Sequence, residues 1–184
     1  MSPKTVAFLS SSLVFLALDQ ASKAWVRANL AIRQEIPVIP DFLSITHARN
    51  KGAALSMLDD FEYRLWVFYA FTAVALYVII TGYRQLPSTD RVQALAMGFI
   101  LSGALGNFID RVWMGEVTDM VKVYAGFEPV RGWALSTFHT NVYPIWNIAD
   151  AGIFIGVGLF ALAYLMGWDK PAEAGVAGHT APGE

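Results

Sequence analysis

Gly106-Asn107-Phe108-Ile109-Asp110-Arg111 closes an apolar run that starts at Val92, and Val117-Thr118-Asp119-Met120 follows a few residues later. At about 1.5 Å per residue, Val92–Ile109 just crosses a hydrocarbon core of roughly 30 Å. The run therefore predicts a membrane-spanning helix that ends in an amide, a carboxylate and a guanidinium. Ionisable groups at membrane depth cost roughly 3 kcal/mol or more each unless paired or wet, so their first reading is functional. Gly98, Ser102, Gly103 and Gly106 within the run are small residues that allow close helix packing in lipid.

Working outward, three further apolar runs appear: about Val6 to Val26, Tyr63 to Tyr83 and Ile145 to Trp168. The first is too long and too polar at its end for a cleaved signal peptide, and no small-residue cleavage site follows its apolar core. Composition agrees with four spans: of 184 residues 55% are hydrophobic and 15% charged, against roughly 25% charged in soluble domains. The expected fold class is a mainly α membrane protein with four transmembrane helices. Between the first two spans, about 28–62, Pro37, Pro40, Gly52 and short apolar runs such as Phe42-Leu43-Ser44-Ile45-Thr46 predict a small β-rich module. Residues 112–144 read as a long polar and aromatic connection, and 169–184, rich in Ala, Gly and Pro, as a disordered tail.

If each run crosses once, alternation puts certain ends on the same side. The end of the first helix, the β-rich module, the end of the third helix, the 112–144 connection and the start of the fourth helix share one face. Asp19 with Lys23, Asn107 with Asp110 and Arg111, Asp119, and Asn147 with Asp150 all belong to that set. Asp19 and Lys23 are spaced i,i+4 with the acid first, the better order for a helical ion pair. Arg27, Arg33, Arg49, Lys51, Arg64, Arg111, Lys122 and Arg131 lie on this face, and Lys4, Arg84, Arg91 and Lys170 on the other. The raw count would make the motif face cytoplasmic. The count carries less weight because several of these cations belong to folded modules or to motifs with acidic partners.

A net charge of −2 and no sustained basic run argue against nucleic acid as a partner. With no cysteine there is no disulfide or thiol nucleophile. His47, His139 and His179 are dispersed, without ligand spacing, so no metal site and no cofactor is expected. Ser22, Ser56 and Ser102 with Lys23 or Lys51 could form a serine–lysine pair, but no motif singles one out. Asp110, Asp119 and Asp150 fit better, since two aspartates held close share a proton, one acting as base on water and the other as acid toward substrate. Bland readings stand beside this one. Asp19–Lys23 can be an anchor, Asn107, Asp110 and Arg111 a structural network, and Asn147 with Asp150 a helix cap, although Asp150 reads as deeper than a cap requires. Asp119 reads as a loop residue.

Five motifs in order, Asp19-Gln20-Ala21-Ser22-Lys23, Asn50-Lys51-Gly52-Ala53-Ala54-Leu55-Ser56, Gly106 to Arg111, Val117-Thr118-Asp119 and Tyr143-Pro144-Ile145-Trp146-Asn147-Ile148-Ala149-Asp150, resemble the bacterial lipoprotein signal peptidases, the signal peptidase II family. The resemblance implies an inner-membrane aspartyl endopeptidase that cleaves prolipoproteins before a diacylglyceryl-modified cysteine. It further implies cytoplasmic termini, an extracytoplasmic site and sheet, membrane lipids as surroundings and lipopeptide inhibitors of the globomycin type as ligands. Asp119 and Asp150 match the catalytic pair; Asp19, Lys23, Asn50, Gly52, Asn107, Asp110, Arg111 and Asn147 match positions that shape the site or bind substrate. Two departures stand out: an insertion at about Gly126 to Asn141, and Met120 where the family often has phenylalanine. A proton-coupled carrier and a catalytically idle binding homologue are the alternatives.

Overall fold

The computed structural model of the protein describes residues 1–52 and 62–168. The expected tail, 169–184, and the motif residues 53–56 lie outside the described residues. The elements, in chain order, are α1 (Pro3–Asn29), β1 (Glu35–Ile39), β2 (Leu43–Asn50), α2 (Arg64–Gln85), α3 (Arg91–Met114), β3 (Val117–Val123), α4 (Val130–Phe138) and α5 (Ile148–Leu165). Four of them, α1, α2, α3 and α5, are long and apolar enough to cross a membrane.

Local chemistry sets the helix ends. Ser2 caps α1 by accepting from the Thr5 amide at 3.3 Å, with Pro3 in the first turn, where its missing N–H costs nothing. Asp90 caps α3 through the Gln93 amide at 3.0 Å, and Gly115, in the left-handed region at φ 73°, closes it.

Helix α3 is the central post, with α1 on one flank, α5 on another and α2 on a third; α2 also meets α1 near its C-terminal end, where Tyr83 stacks on Phe8 with ring centres 4.4 Å apart. The small residues of α3 make this possible. A methyl group at Gly103 would collide with the Ala149 carbonyl of α5, and one at Gly106 with the Asp19 carboxylate of α1. Backbones therefore meet at the depth where the polar residues of three helices begin.

The sheet is antiparallel in the order β1-β2-β3. The module between α1 and α2 supplies β1 and β2 as expected, and the third strand comes from the 112–144 connection, which corrects one reading: Asp119 is a strand residue opposite Ala48 rather than a loop residue. Val26 and Leu30 at the end of α1 form a buried cluster with Met120, against which Ile45 and Val121 pack. A flexible methionine thus fills the seat under the sheet. Beyond β3, the predicted insertion Gly126–Asn141 is not featureless, for it contains α4.

Candidate active site

One end of the bundle gathers the polar groups, and their positions follow from the elements that carry them. Met120 and Val121 both donate backbone hydrogen bonds to the Trp146 carbonyl, at 3.0 and 2.8 Å, and Trp146 returns one to Val121 at 3.2 Å. This bridge holds the segment before α5 extended against β3, so the helix starts at Ile148, later than the apolar run suggests. Asn147 becomes its N-cap and Asp150 its third residue. The two form a capping box: Asn147 Oδ1 accepts from the Asp150 amide at 3.0 Å, and Asp150 Oδ2 accepts from the Asn147 amide at 3.2 Å. Asp150 is therefore no deeper than a cap, contrary to the sequence reading.

The same Asn147 faces Asp119. Its Nδ2 donates to Asp119 Oδ1 at 2.6 Å and to Asn107 Oδ1 at 3.1 Å, while Asn107 Nδ2 donates to Asp150 Oδ1 at 2.8 Å. Asn50, at the end of β2, donates to Asp119 Oδ2 at 2.9 Å. Both oxygens of each carboxylate thus accept from amides, and one asparagine touches both aspartates. Gly52 is buried just beyond β2.

Beneath this pair sits Lys23, fully buried at 0% exposure. Its ammonium has three protons and three acceptors: Asp19 Oδ2 at 3.0 Å, Asp110 Oδ2 at 3.2 Å and Asn107 Oδ1 at 3.1 Å. A cation on Asn107 Oδ1 fixes which way that amide points, and so turns its NH₂ toward Asp150. Asp19 Oδ1 accepts from the Ala149 amide at 2.9 Å, tying α1 to the start of α5. Asp110 Oδ2 accepts from the Thr118 amide at 3.0 Å, which fixes β3 beside Asp119.

The structure brings every expected residue to this end, but among the described residues Arg111 makes no direct ion pair with the carboxylates. Its guanidinium lies 4.0 Å from the Phe68 ring centre of α2, and it donates to the Asn107 carbonyl at 3.3 Å. The sequence reading missed Arg27, whose guanidinium reaches Asp110 Oδ1 at 3.5 Å and Thr118 Oγ1 at 3.1 Å. The signal was present, since Asp19, Lys23 and Arg27 recur every fourth residue on one helical face.

Asp119 is 2% exposed. Burial raises its pKa from 3.8 to about 6; the Asp150 charge pushes the same way, while the bonds from Asn50 and Asn147 and the nearby Lys23 pull down. Asp150, half-buried, opens onto a cavity of about 540 Å³ whose other walls are Tyr143, Trp146, Ala151, Phe154 and Ile155. A buried carboxyl poised near neutrality, beside a second carboxylate at the mouth of an apolar cavity, can perform acid–base hydrolysis of a greasy substrate.

The model of the signal peptidase (SPase) II family matches residues 11–166. The chain belongs to the signal peptidase II family. Members of this family are membrane aspartic peptidases, and this chain is accordingly a hydrolase. It is 41% identical over 162 residues to the lipoprotein signal peptidase of Geobacter metallireducens, covering 88% of this chain and 92% of the relative. The lipoprotein signal peptidase of Geobacter sulfurreducens is 43% identical over 162 residues, covering 88% and 93%. Among solved structures, a bacterial membrane enzyme determined by the in meso method at 2.3 Å superposes with a TM-score of 0.72 at 29% identity, over 90% of this chain and 92% of the other. A second, at 1.9 Å, gives 0.70 at 30% identity over 86% and 92%.

Proposed function

We propose that Asp119 and Asp150 are the catalytic pair with which this signal peptidase II removes signal peptides from prolipoproteins, cutting before a diacylglyceryl-modified cysteine. The observation that carries the assignment is Asn147, which bonds Asp119 through its side chain and Asp150 through its backbone amide. Asp119, with the raised pKa, holds the proton that the pair shares, and Asp150, at the cavity wall, is the base.

The water oxygen attacks the scissile carbonyl carbon as Asp150 takes one water proton and Asp119 gives its own to the carbonyl oxygen. Collapse of the tetrahedral adduct breaks the C–N bond, the leaving amine takes the proton from Asp150, and Asp119 regains its proton from the adduct hydroxyl. Asp19, Lys23, Asn107, Asp110 and Asn147 hold this geometry, with Asn50 and Gly52 at the edge beside Asp119. Arg111 serves packing between α3 and α2.

The cavity walls, Phe154 and Ile155 among them, suit acyl chains entering from the bilayer, and lipopeptide inhibitors of the globomycin type should occupy the same space. The expected setting is the bacterial inner membrane, with both termini cytoplasmic and the site at the extracytoplasmic interface. The charge count that opposes this orientation loses weight because Arg27, Arg49, Lys122 and Arg131 are ion-paired with Asp110, Glu116, Glu35 and Glu128.

Replacing either aspartate with asparagine should lower the processing of a lipidated precursor in detergent by about 10³-fold or more, with the fold retained. Full activity in both variants refutes the pair, and transport without cleavage would favour the carrier alternative.

A further inference from the structure

Residues Gly126–Thr140 leave the sheet and return to it at a narrow neck. Ala125 donates to the Asn141 carbonyl at 2.9 Å, Asn141 Nδ2 donates back to the Ala125 carbonyl at 2.9 Å, and Tyr143 donates to the Val123 carbonyl at 2.9 Å. Gly126 also donates to the Asp41 carbonyl at 2.8 Å, seating the excursion on the β1–β2 turn. Helix α4 is therefore held at a fixed place rather than hung on a loose loop.

Its surface is the reverse of what water favours. Val130, Trp133 and Phe138 fall on one broad side of the helix, an arc that also holds Thr137 and the buried Ala134, and Trp133 and Phe138 meet edge-on with ring centres 5.3 Å apart. Yet Trp133 is 59% and Phe138 61% exposed. Small or polar Gly132 and Ser136 occupy the opposite face. This apolar face continues into the bilayer-facing surface of the bundle. Phe154 of α5, 82% exposed on a membrane-crossing helix, shares the site cavity with Tyr143, and Tyr143 shares a second hollow of about 200 Å³ with Phe42, Phe127 and Val130 at the foot of α4. Formal charge is nearly absent: besides His139, Glu128 and Arg131 are the only acidic and basic residues between Gly126 and Asn141, and they pair with each other at 3.6 Å.

We infer that α4 is a membrane-surface anchor, lying flat in the interface with Trp133 and Phe138 among the lipid headgroups and upper acyl chains. An amphipathic helix whose one formal charge, Arg131, is paired with Glu128 binds chiefly by apolar burial and not by attraction to anionic lipid, which gives the inference a distinct signature. Anchored there, the neck at Tyr143 keeps the mouth of the Asp150 cavity level with the bilayer surface. The inference depends on the membrane-spanning bundle and not on the proposed catalytic pair.

The chain has no cysteine, so single labels are straightforward. Trp133→Cys, Phe138→Cys and, as a control, Ser136→Cys would each be labelled with a fluorophore in the full-length protein, reconstituted in phosphatidylcholine nanodiscs with and without phosphatidylglycerol. Nitroxide lipids and aqueous iodide serve as competing quenchers. Expected are labels at 133 and 138 reading a depth of about 5–10 Å below the surface, a label at 136 quenched by iodide, and no change on removing the anionic lipid. In a Trp133→Ser/Phe138→Ser background, a label at Val130→Cys should move into water. Iodide reaching all three labels equally overturns the anchor, as does immersion that requires phosphatidylglycerol. Labels at 133 and 138 shielded from both quenchers, more so at high protein-to-lipid ratio, would instead mean that a second copy of the chain covers this face, which also overturns it.

Discussion

At the Lys23 cluster polar atoms are buried and paired, whereas α4 carries Val130, Trp133, Leu135 and Phe138 into the open. The two regions lie on the same side of the bundle and are joined through the segment Asn141–Asn147, so the contrast is not one of location. It is one of constraint. A buried ammonium with three acceptors fixes the geometry of everything around it, because each broken bond leaves a charge without water. An exposed amphipathic helix fixes little inside the protein, and its energetics belong to whatever surrounds it.

The sharpest way to break this contrast is Lys23→Met. Asp19 and Asp110 would remain buried, Asp19 with no cation and Asp110 with only the more distant Arg27, at a cost of about 3–5 kcal/mol. For a chain of this size that corresponds to an apparent melting temperature lower by roughly 10 °C in detergent. Adding Asp110→Asn to the same chain should recover part of the loss, since one of the uncompensated charges goes with it. A Lys23→Met protein that melts with the parent would mean that the cluster contributes no stability and that its interlocked bonds are incidental.

How much of this could be read from the residues follows the same division. The spans were legible because apolar length is a one-dimensional property, and the convergence of the polar motifs because alternation across a membrane needs only counting. Asp19–Lys23 was legible as a pair from spacing alone; its third partner, Asp110, was not, because nothing in the chain says how close α1 and α3 approach. The third strand was hidden for a different reason. Val117-Thr118-Asp119-Met120 is buried throughout, so the alternation that marks a half-exposed strand is missing. Likewise Asp150 looked too deep for a cap, because the Val121–Trp146 bridge that delays the helix start is a tertiary contact. Helix α4 escaped notice since Gly132, Ser136 and Thr137 are weak helix formers and no side chain caps its start.

A subtler test sharpens the contrast within the site itself. With Asp119 holding the shared proton, the active form of the free enzyme exists below about pH 6, and kcat/KM should fall as pH rises through that value. The Asn50 bond favours the ionised carboxylate, so Asn50→Ala should move this limb to higher pH. Movement to lower pH, or none, would remove Asp119 from the role of proton holder. The stability sign is opposite to that of a salt-bridged aspartate. Between 3.8 and about 6 the native state keeps a proton that the unfolded chain has lost, so this group's contribution to stability declines as pH rises across that window.

The smallest expected effect is at α4, and its smallness is the point. Trp133→Ser with Phe138→Ser removes two large aromatic side chains, which in a core would cost several kcal/mol each. Both are more than half exposed and meet each other edge-on, so in detergent, where no flat bilayer is available, the melting temperature should shift by no more than about 0.5 kcal/mol of stability would produce. The same pair of changes in nanodiscs should lower the melting temperature further than in detergent, because only there does the parent helix have a lipid surface to bury them in. Equal shifts in the two media would mean that the aromatic pair stabilises the excursion itself. α4 would then belong with the Lys23 cluster, as a part held by its own contacts.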